Sequence, residues 1–182
     1  MTAAERIARS HPDVLLIEPE HILARAPEKT QRSLDPWKLT TSIIADGVAH
    51  PNASIIPDKA FGLDFTTTRK RSYFFLEADR ATMPVWRRDL LQSSMRKKFL
   101  AYSAAHAAQL HATRYGIGNF RVLTVSTSAE RIANMIDAVQ KITGGKGSNL
   151  FLFATAEAVN AADDLTGVAW TSGKTQTVYL RD

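Results

Sequence analysis

Three carboxylates occupy a stretch of the chain that otherwise has the apolar and aromatic composition of two strands. Asp58 follows Pro57 at the start of the first segment, and Glu77 and Asp79 close the second segment, SYFFLEADR. Because side chains alternate between the two faces of a strand, Glu77 and Asp79 point to the same face. An antiparallel turn between the segments brings Asp58 opposite the end of the second one. The spacing therefore predicts that the three acids converge at one end of a hairpin.

Carboxylates that lie this close repel one another unless a positive charge lies between them. Mg²⁺ is a hard cation that prefers oxygen ligands and commonly accompanies a phosphate. We therefore predict a Mg²⁺ site at Asp58, Glu77 and Asp79, with Mn²⁺ as the alternative ion. In an alternative without a metal, Asp58 caps a local turn. Asp79 then pairs with Arg80 or Arg87.

Lys98 is the candidate cation of such a site. In the segment SSMRKKFLAY it lies four residues before Tyr102, so both side chains share one face of a helix. A lysine on a helix that packs across the hairpin could stabilise a phosphoryl transition state or orient a water molecule. The alternative is that Lys98 belongs to a basic run that faces the solvent.

Basic residues are concentrated around these acids. The net charge is +5, and over residues 55–115 basic residues outnumber acidic ones by more than two to one, whereas the two nearly balance elsewhere. A local positive field suits a polyanion such as DNA, although a solvated basic helix face would give the same count. The residues predicted to hold the DNA backbone electrostatically are Arg80, Arg87, Arg88, Arg96 and Lys97.

Composition indicates a globular chain with a core of its own, since 45% of the 182 residues are hydrophobic and 23% are charged. The absence of cysteine excludes disulfides, thiolate metal sites and a cysteine nucleophile. No apolar run reaches the roughly 20 residues that span a membrane. The N-terminal segment MTAAERIARS has no apolar signal region. We therefore expect a cytoplasmic protein without a membrane partner.

Apolar periodicity predicts the elements that must position the acids. We expect strands over residues 55–65 and 72–79 at the centre of a mixed sheet. A long helix over about residues 85–114 follows, because Leu91, Met95, Phe99 and Tyr102 recur at helical spacing. Ser128 is expected to cap a second helix. The segments FRVLTVSTS and NLFLFA predict buried strands, and the last residues predict a closing hairpin.

The remaining segments predict less regular structure. VLLIEPEHILARA predicts a short strand or extended entry followed by a helix from about Pro19 to Ala26. We expect residues 1–36 to form an N-terminal arm with this helix and residues 37–182 to form the α/β domain, so that the chain is effectively a single domain. PEKTQRSLDP is typical of a loop, and DGVAHPNAS is typical of a turn-rich link.

These pieces, taken in order, resemble known proteins. A Pro-Asp pair, an acid-x-charged triplet on the next strand, a long helix and a further strand resemble the restriction-endonuclease-like fold of PD-(D/E)xK nucleases. More closely, IIPDKAFGL, YFFLEADRATMPVWR, SSMRKKFLAY and FRVLTVSTSAER are similar to segments of the plasmid replication-relaxation family. The resemblance covers roughly residues 55–154.

The resemblance implies a restriction-endonuclease-like mixed β-sheet core flanked by helices. It implies a role in replicating or relaxing plasmid or mobile-element DNA, together with proteins of a replication or relaxation complex. The family commonly has a preceding winged-helix domain, which we do not expect in this chain. Carried over by position, Asp58 and Glu77 match the first two acids of the nuclease motif.

Asp79 is the departure from that motif, because it stands where the nucleases have a lysine. The lysine orients the attacking water and stabilises negative charge, which an aspartate cannot do, so Lys98 would have to act from the helix. Three functions stay open. They are Mg²⁺-dependent DNA hydrolysis with Asp58, Glu77, Asp79 and Lys98 as catalytic residues, a nuclease scaffold that binds DNA without cutting it, and a protein-interaction domain.

Overall fold

The computed structural model describes residues 12–181, in which nine strands and six helices form a mixed α/β arrangement. This class is the one that the sequence predicted. The strands are β1 (Val14–Ile17), β2 (Leu39–Ala45), β3 (Val48–Ile55), β4 (Lys59–Phe65), β5 (Lys70–Ala78), β6 (Arg121–Ser126), β7 (Phe151–Thr155), β8 (Trp170–Ser172) and β9 (Thr177–Val178). The helices are α1 (Pro19–Leu23), α2 (Glu28–Gln31), α3 (Met95–Ala107), α4 (Leu110–Tyr115), α5 (Ala129–Ile142) and α6 (Ala156–Ala161).

The main sheet has seven strands in the order β1-β4-β5-β6-β7-β8-β9, and β2 pairs with β3 in a separate hairpin. Strands β5, β6 and β7 are parallel, and the other neighbours in the sheet are antiparallel. Parallel neighbours need a crossover, and α3 and α5 lie in the two crossovers. The carboxyl ends of three strands therefore meet at one edge of the sheet.

Helices α3 and α5 cover one face of this sheet. Phe99 and Tyr102 of α3 and Met135 of α5 are buried in one apolar cluster with Phe75 of β5. The β2–β3 hairpin packs against α3 as well, so that this helix lies between the sheet and the hairpin. The opposite face of the sheet is covered by α6 and by the loop that follows it.

The region before the acidic hairpin differs from its predicted layout. DGVAHPNAS contains strand β3, because Asp46 and Gly47, with φ of 51° and 77°, form the two-residue turn that an Asp-Gly pair favours. The predicted strand over residues 55–65 is shorter in the structure and comprises β4 alone, apart from its first residue. Ile55 ends β3 and Lys59 begins β4, with Pro57, which lacks a backbone N–H to donate to a ladder, between them.

The predicted long helix is also wrong in its first part. Residues 79–94 are neither helix nor strand, and we call them the strap. Helix α3 begins only after Ser94, whose side chain accepts the N–H of Lys97. Leu91 is 84% exposed, so it was not part of an apolar stripe. At the other end, Gln109 has a φ of 54° and separates α3 from α4.

The described part of the N-terminal segment packs on the rest of the chain. Strand β1 pairs with β4 at the edge of the main sheet, and Ile22 is buried in the main apolar cluster. The predicted loop PEKTQRSLDP contains the four-residue helix α2. The predicted central hairpin β4–β5 is off centre, since β6 is the middle strand of the seven. Residues 1–11 of the predicted arm lie outside the described residues.

Ser128 is the N-cap of α5, because its Oγ accepts the N–H of Arg131 at the start of that helix. We expect Ser128→Ala to lower the free energy of unfolding by about 1 kcal/mol, since one helix N–H loses its partner. Ser128→Asp keeps an acceptor and should retain most of the stability. Urea unfolding measures both variants, and an equal loss in both would contradict the cap.

Candidate functional site

Glu77 is a buried carboxylate at the carboxyl end of β5. Its side chain is 3% exposed and lies between the sheet and α3. The ammonium of Lys98 donates to Oε2, and the hydroxyl of Tyr102 donates to Oε1. Lys98 and Tyr102 are one helical turn apart on α3, as their spacing predicted. Both oxygens of Glu77 are therefore bonded by the same face of one helix.

Burial raises the pKa of Glu77 above its ordinary value, and the attraction of Lys98 offsets this only in part. The negative charge of Asp58 raises the pKa further. Burial and the adjacent Glu77 raise the pKa of Tyr102 well above its usual range. The phenol therefore stays protonated and continues to donate to the carboxylate.

Asp58 lies across the hairpin from Glu77. The pairing of Lys59 with Leu76 places Asp58 opposite Glu77 at the next step of the same register. The N–H of Asp58 donates to the carbonyl of Leu76 at 3.0 Å. Its Oδ2 accepts the N–H of Ala78 at 2.7 Å, so this exposed carboxylate caps the neighbouring strand and not its own turn.

Asp79 has partners of its own. Arg131 of α5 donates to both carboxylate oxygens, with Nη2 2.7 Å from Oδ1, and the hydroxyl of Ser126 donates to Oδ2 at 2.7 Å. Burial alone would raise the pKa of Asp79, but the hydrogen bonds from Arg131 and Ser126 outweigh it and lower the pKa. The predicted partners Arg80 and Arg87 do not make this ion pair.

The carboxylates of Asp58, Glu77 and Asp79 have separate hydrogen-bond partners. Within residues 12–181, no group of three or more His, Asp or Glu side chains is arranged to hold a metal ion. Asp79 is occupied by Arg131 and Ser126. Asp58 and Glu77 still fit Mg²⁺ as a pair, because this ion commonly takes one or two carboxylates and completes its shell with water or phosphate. Glu77 would then share an oxygen that now accepts from Lys98 or Tyr102.

A cavity of about 90 Å³ opens beside Glu77. The strap forms one wall and α3 forms another. Its lining residues are Glu77, Ala78, Asp79, Arg80, Thr82, Met83, Met95 and Lys98. Lys98, whose side chain is 28% exposed, thus lines the cavity while its ammonium is bonded to the buried acid.

Two arginines fasten the strap over this cavity. Arg131 donates to the carbonyl of Met83, and Arg96 donates to the carbonyl of Arg87 at 3.0 Å. Arg96 also pairs with Asp46 at the tip of the β2–β3 hairpin, 2.8 Å away. Because Arg96 is only 3% exposed, it is a structural residue and not the DNA contact that the sequence predicted.

The other predicted DNA contacts remain at the surface. Arg80 and Arg88 are exposed on the strap, and Arg87 and Lys97 are partly exposed beside it. Arg131 is the residue of this region that the sequence analysis missed. Its place in the first turn of α5, after the cap Ser128 and at the end of β6, was the available signal.

Comparison with protein families, curated proteins and solved structures finds no match to this chain. Within the described part of the chain, none of the helices combines the length and apolar character needed to cross a membrane.

Asp79→Asn tests the ion pair with Arg131. We expect a loss of about 3 kcal/mol in the free energy of unfolding near neutral pH, because Arg131 loses its buried counter-charge. The pKa of Asp79 is lowered by folding, so its contribution is present above the unfolded pKa and disappears as the pH falls through the folded value. The difference between wild type and variant should therefore shrink in acid.

Urea unfolding over a pH series measures this difference. Asp137→Asn is the matched control, since Asp137 pairs with Lys141 on the surface and both side chains are more than half exposed. Its loss should stay below about 1 kcal/mol. A loss for Asp79→Asn no larger than this control would contradict the structural role of the pair.

Glu77→Gln should show the opposite pH dependence. The pKa of Glu77 is raised by folding, so its contribution is complete below the ordinary carboxyl pKa and is lost as the pH rises through the folded value. A neutral amide has no such loss, so the variant should gain stability relative to wild type over that interval. The same unfolding series measures it, and parallel pH curves for the two proteins would contradict the raised pKa.

Proposed function

We propose that this chain is a DNA-processing protein with a restriction-endonuclease-like core, and that it hydrolyses phosphodiesters with a metal ion at Asp58 and Glu77 and with Lys98. The observation that carries the proposal is the contact between the Lys98 ammonium and Glu77, which faces Asp58 across the β4–β5 hairpin. Phosphoryl transfer requires bound positive charge around the phosphate, supplied here by Lys98 and by the ion that the two acids bind.

The order of elements supports the same proposal. Asp58 precedes β4, Glu77 lies at the end of β5, and α3 then crosses to β6, which is parallel to β5. This is the order of acids, helix and strand in the resemblance to PD-(D/E)xK nucleases. Asp79 stands where the motif has a lysine. Lys98 of α3 supplies a cation to Glu77 instead.

Each residue of the site has a separate role in the proposed reaction. Asp58 and Glu77 would bind Mg²⁺ or Mn²⁺, which when bound lowers the pKa of a water ligand and offsets phosphate charge. Lys98 would move its ammonium from Glu77 toward a phosphate oxygen in the adjoining cavity. Tyr102 would keep its bond to the other oxygen of Glu77 and hold the carboxylate in place. Asp79 supports this edge through Arg131 and does not bind the ion.

Plasmid or mobile-element DNA is the substrate that we propose, with proteins of a replication or relaxation complex as partners. This part of the proposal rests on the family resemblance of residues 55–154. Arg80, which lines the cavity, and Arg88, exposed on the same strap, are suited to contact backbone phosphates of the DNA.

A nuclease scaffold that binds DNA without cutting is the second candidate. The observation that favours it is that these acids already have hydrogen-bond partners. Arg131 and Ser126 donate to Asp79, and both oxygens of Glu77 are bonded. In that case the pair of Glu77 and Lys98 is structural, and the basic surface alone binds the polyanion.

Cleavage of supercoiled plasmid DNA with Mg²⁺ or Mn²⁺ distinguishes the two candidates. We expect wild type to nick or linearise the plasmid and a chelator to stop the reaction. Asp58→Asn, Glu77→Gln and Lys98→Met should each lower the rate by about 100-fold or more, the usual effect of removing one group that stabilises transition-state charge. Agarose gel electrophoresis over a time course measures the rates.

Glu157→Gln and Lys146→Met are the matched controls, because they remove exposed charges outside the site and should leave the rate unchanged. If wild type does not cut with either ion but binds DNA in a salt-sensitive manner, the non-catalytic scaffold is correct. If the three site variants cut as fast as wild type, the proposed centre is wrong.

A further inference from the structure

Trp86 lies on the strap with 41% of its surface exposed, whereas a large apolar side chain is usually buried. Trp170, by contrast, is fully buried, and Trp37 packs against the aromatic rings of Phe75 and Tyr115. The guanidinium of Arg96 covers part of the indole, and the part that stays exposed offers an apolar surface to a ligand. The sequence around it, VWRR, adds two arginines at the next two positions.

The backbone on both sides of Trp86 is fixed. The carbonyl of Val85 accepts the N–H of Arg96 at 2.9 Å, and the carbonyl of Arg87 accepts Nη1 of Arg96 at 3.0 Å. The guanidinium of Arg96 lies 4.5 Å from the centre of the indole ring. The ring is therefore positioned before any ligand arrives, which reduces the ordering cost of binding.

Positive charge surrounds this ring. The ammonium of Lys141 lies 5.5 Å from the ring centre, and Arg87 and Arg88 follow in the chain. An aromatic platform within a basic surface is the combination that binds single-stranded nucleic acid, because each base presents a flat face and each nucleotide carries a charge.

The platform is close to the candidate site. Met83 lines the cavity beside Glu77, and Trp86 follows three residues later, a chain distance of at most about 10 Å. A nucleotide stacked at Trp86 would therefore bring a neighbouring phosphate toward Lys98. In a duplex the bases are stacked on one another and present only their edges in the grooves. Unpaired bases alone expose the face that the indole can stack against.

We propose that the strap binds single-stranded DNA and that Trp86 stacks against one of its bases. This inference rests on the proposed function and narrows its substrate to unpaired DNA, such as a displaced or gapped strand. Trp86 positions the strand, and the chemistry stays with Asp58, Glu77 and Lys98.

Tryptophan fluorescence and direct binding test this inference with three probes. They are a single-stranded thymidine oligomer, an abasic oligomer with the same backbone, and a blunt duplex of equal length. We expect the thymidine oligomer to quench part of the fluorescence of wild type and to bind more tightly than the abasic oligomer. Trp86→Leu should lower its affinity by about tenfold, within the usual range for losing one stacked base.

The variant also serves as an internal control, because Trp37 and Trp170 remain and should not be quenched. Its affinity for the abasic oligomer and the duplex should match wild type, and its urea midpoint shows whether the strap stays folded. Leu34→Ala, at a fully exposed apolar residue outside the strap, should not change any affinity.

Equal binding of the thymidine and abasic oligomers without quenching would overturn the stacking role and leave the proposed DNA function intact. Tighter binding of the duplex, unchanged in Trp86→Leu, would likewise overturn the single-strand assignment. Failure to bind any of the three probes would overturn the proposed function itself, together with this inference.

Discussion

The burial of the Glu77 carboxylate between the sheet and α3 is the constraint on which the rest of this region depends. A buried acid is costly unless its oxygens are bonded, and a single helix face supplies both partners through Lys98 and Tyr102. These two bonds fix the rotation of α3 about its axis and its position along β5. The chain first runs along the strap, and α3 begins at its cap, Ser94.

Charge count alone did not separate binding residues from structural ones. Arg96 and Arg131 belong to a basic chain, yet both are committed to carbonyl and carboxylate partners inside the domain. Arg80 and Arg88 have the same formal charge and remain exposed. An arginine has several donors in a fixed plane, which lets one side chain join three segments of the chain. Arg96 does this for α3, the strap and the β2–β3 hairpin.

The parts of the fold that sequence predicted are those with local causes. The alternation of side chains along β5, the spacing of Lys98 and Tyr102, and the cap at Ser128 each depend on a few neighbouring residues, and each is observed. The strap, the partner of Asp79 and the covering hairpin depend on tertiary contacts. Leu91 matched a helical stripe, for example, but the strap holds it in solvent. Strand β3 was missed although the Asp-Gly turn before it is a local signal, because its polar residues resemble a linker.

The same difference between local and distant contacts sets the order in which the acids meet each other and their counter-charges during folding. The β4–β5 hairpin brings Asp58 to Glu77 by adding residue pairs one after another from its short turn, whereas Arg131 is 52 residues beyond Asp79 and Lys98 needs α3 to dock on the sheet. Since longer loops cost more entropy to close, the hairpin can pair its strands before either cation arrives. The nascent hairpin thus carries Asp58 and Glu77 together in water, where protonation and salt weaken their repulsion, until α3 docks and takes Glu77 out of solvent.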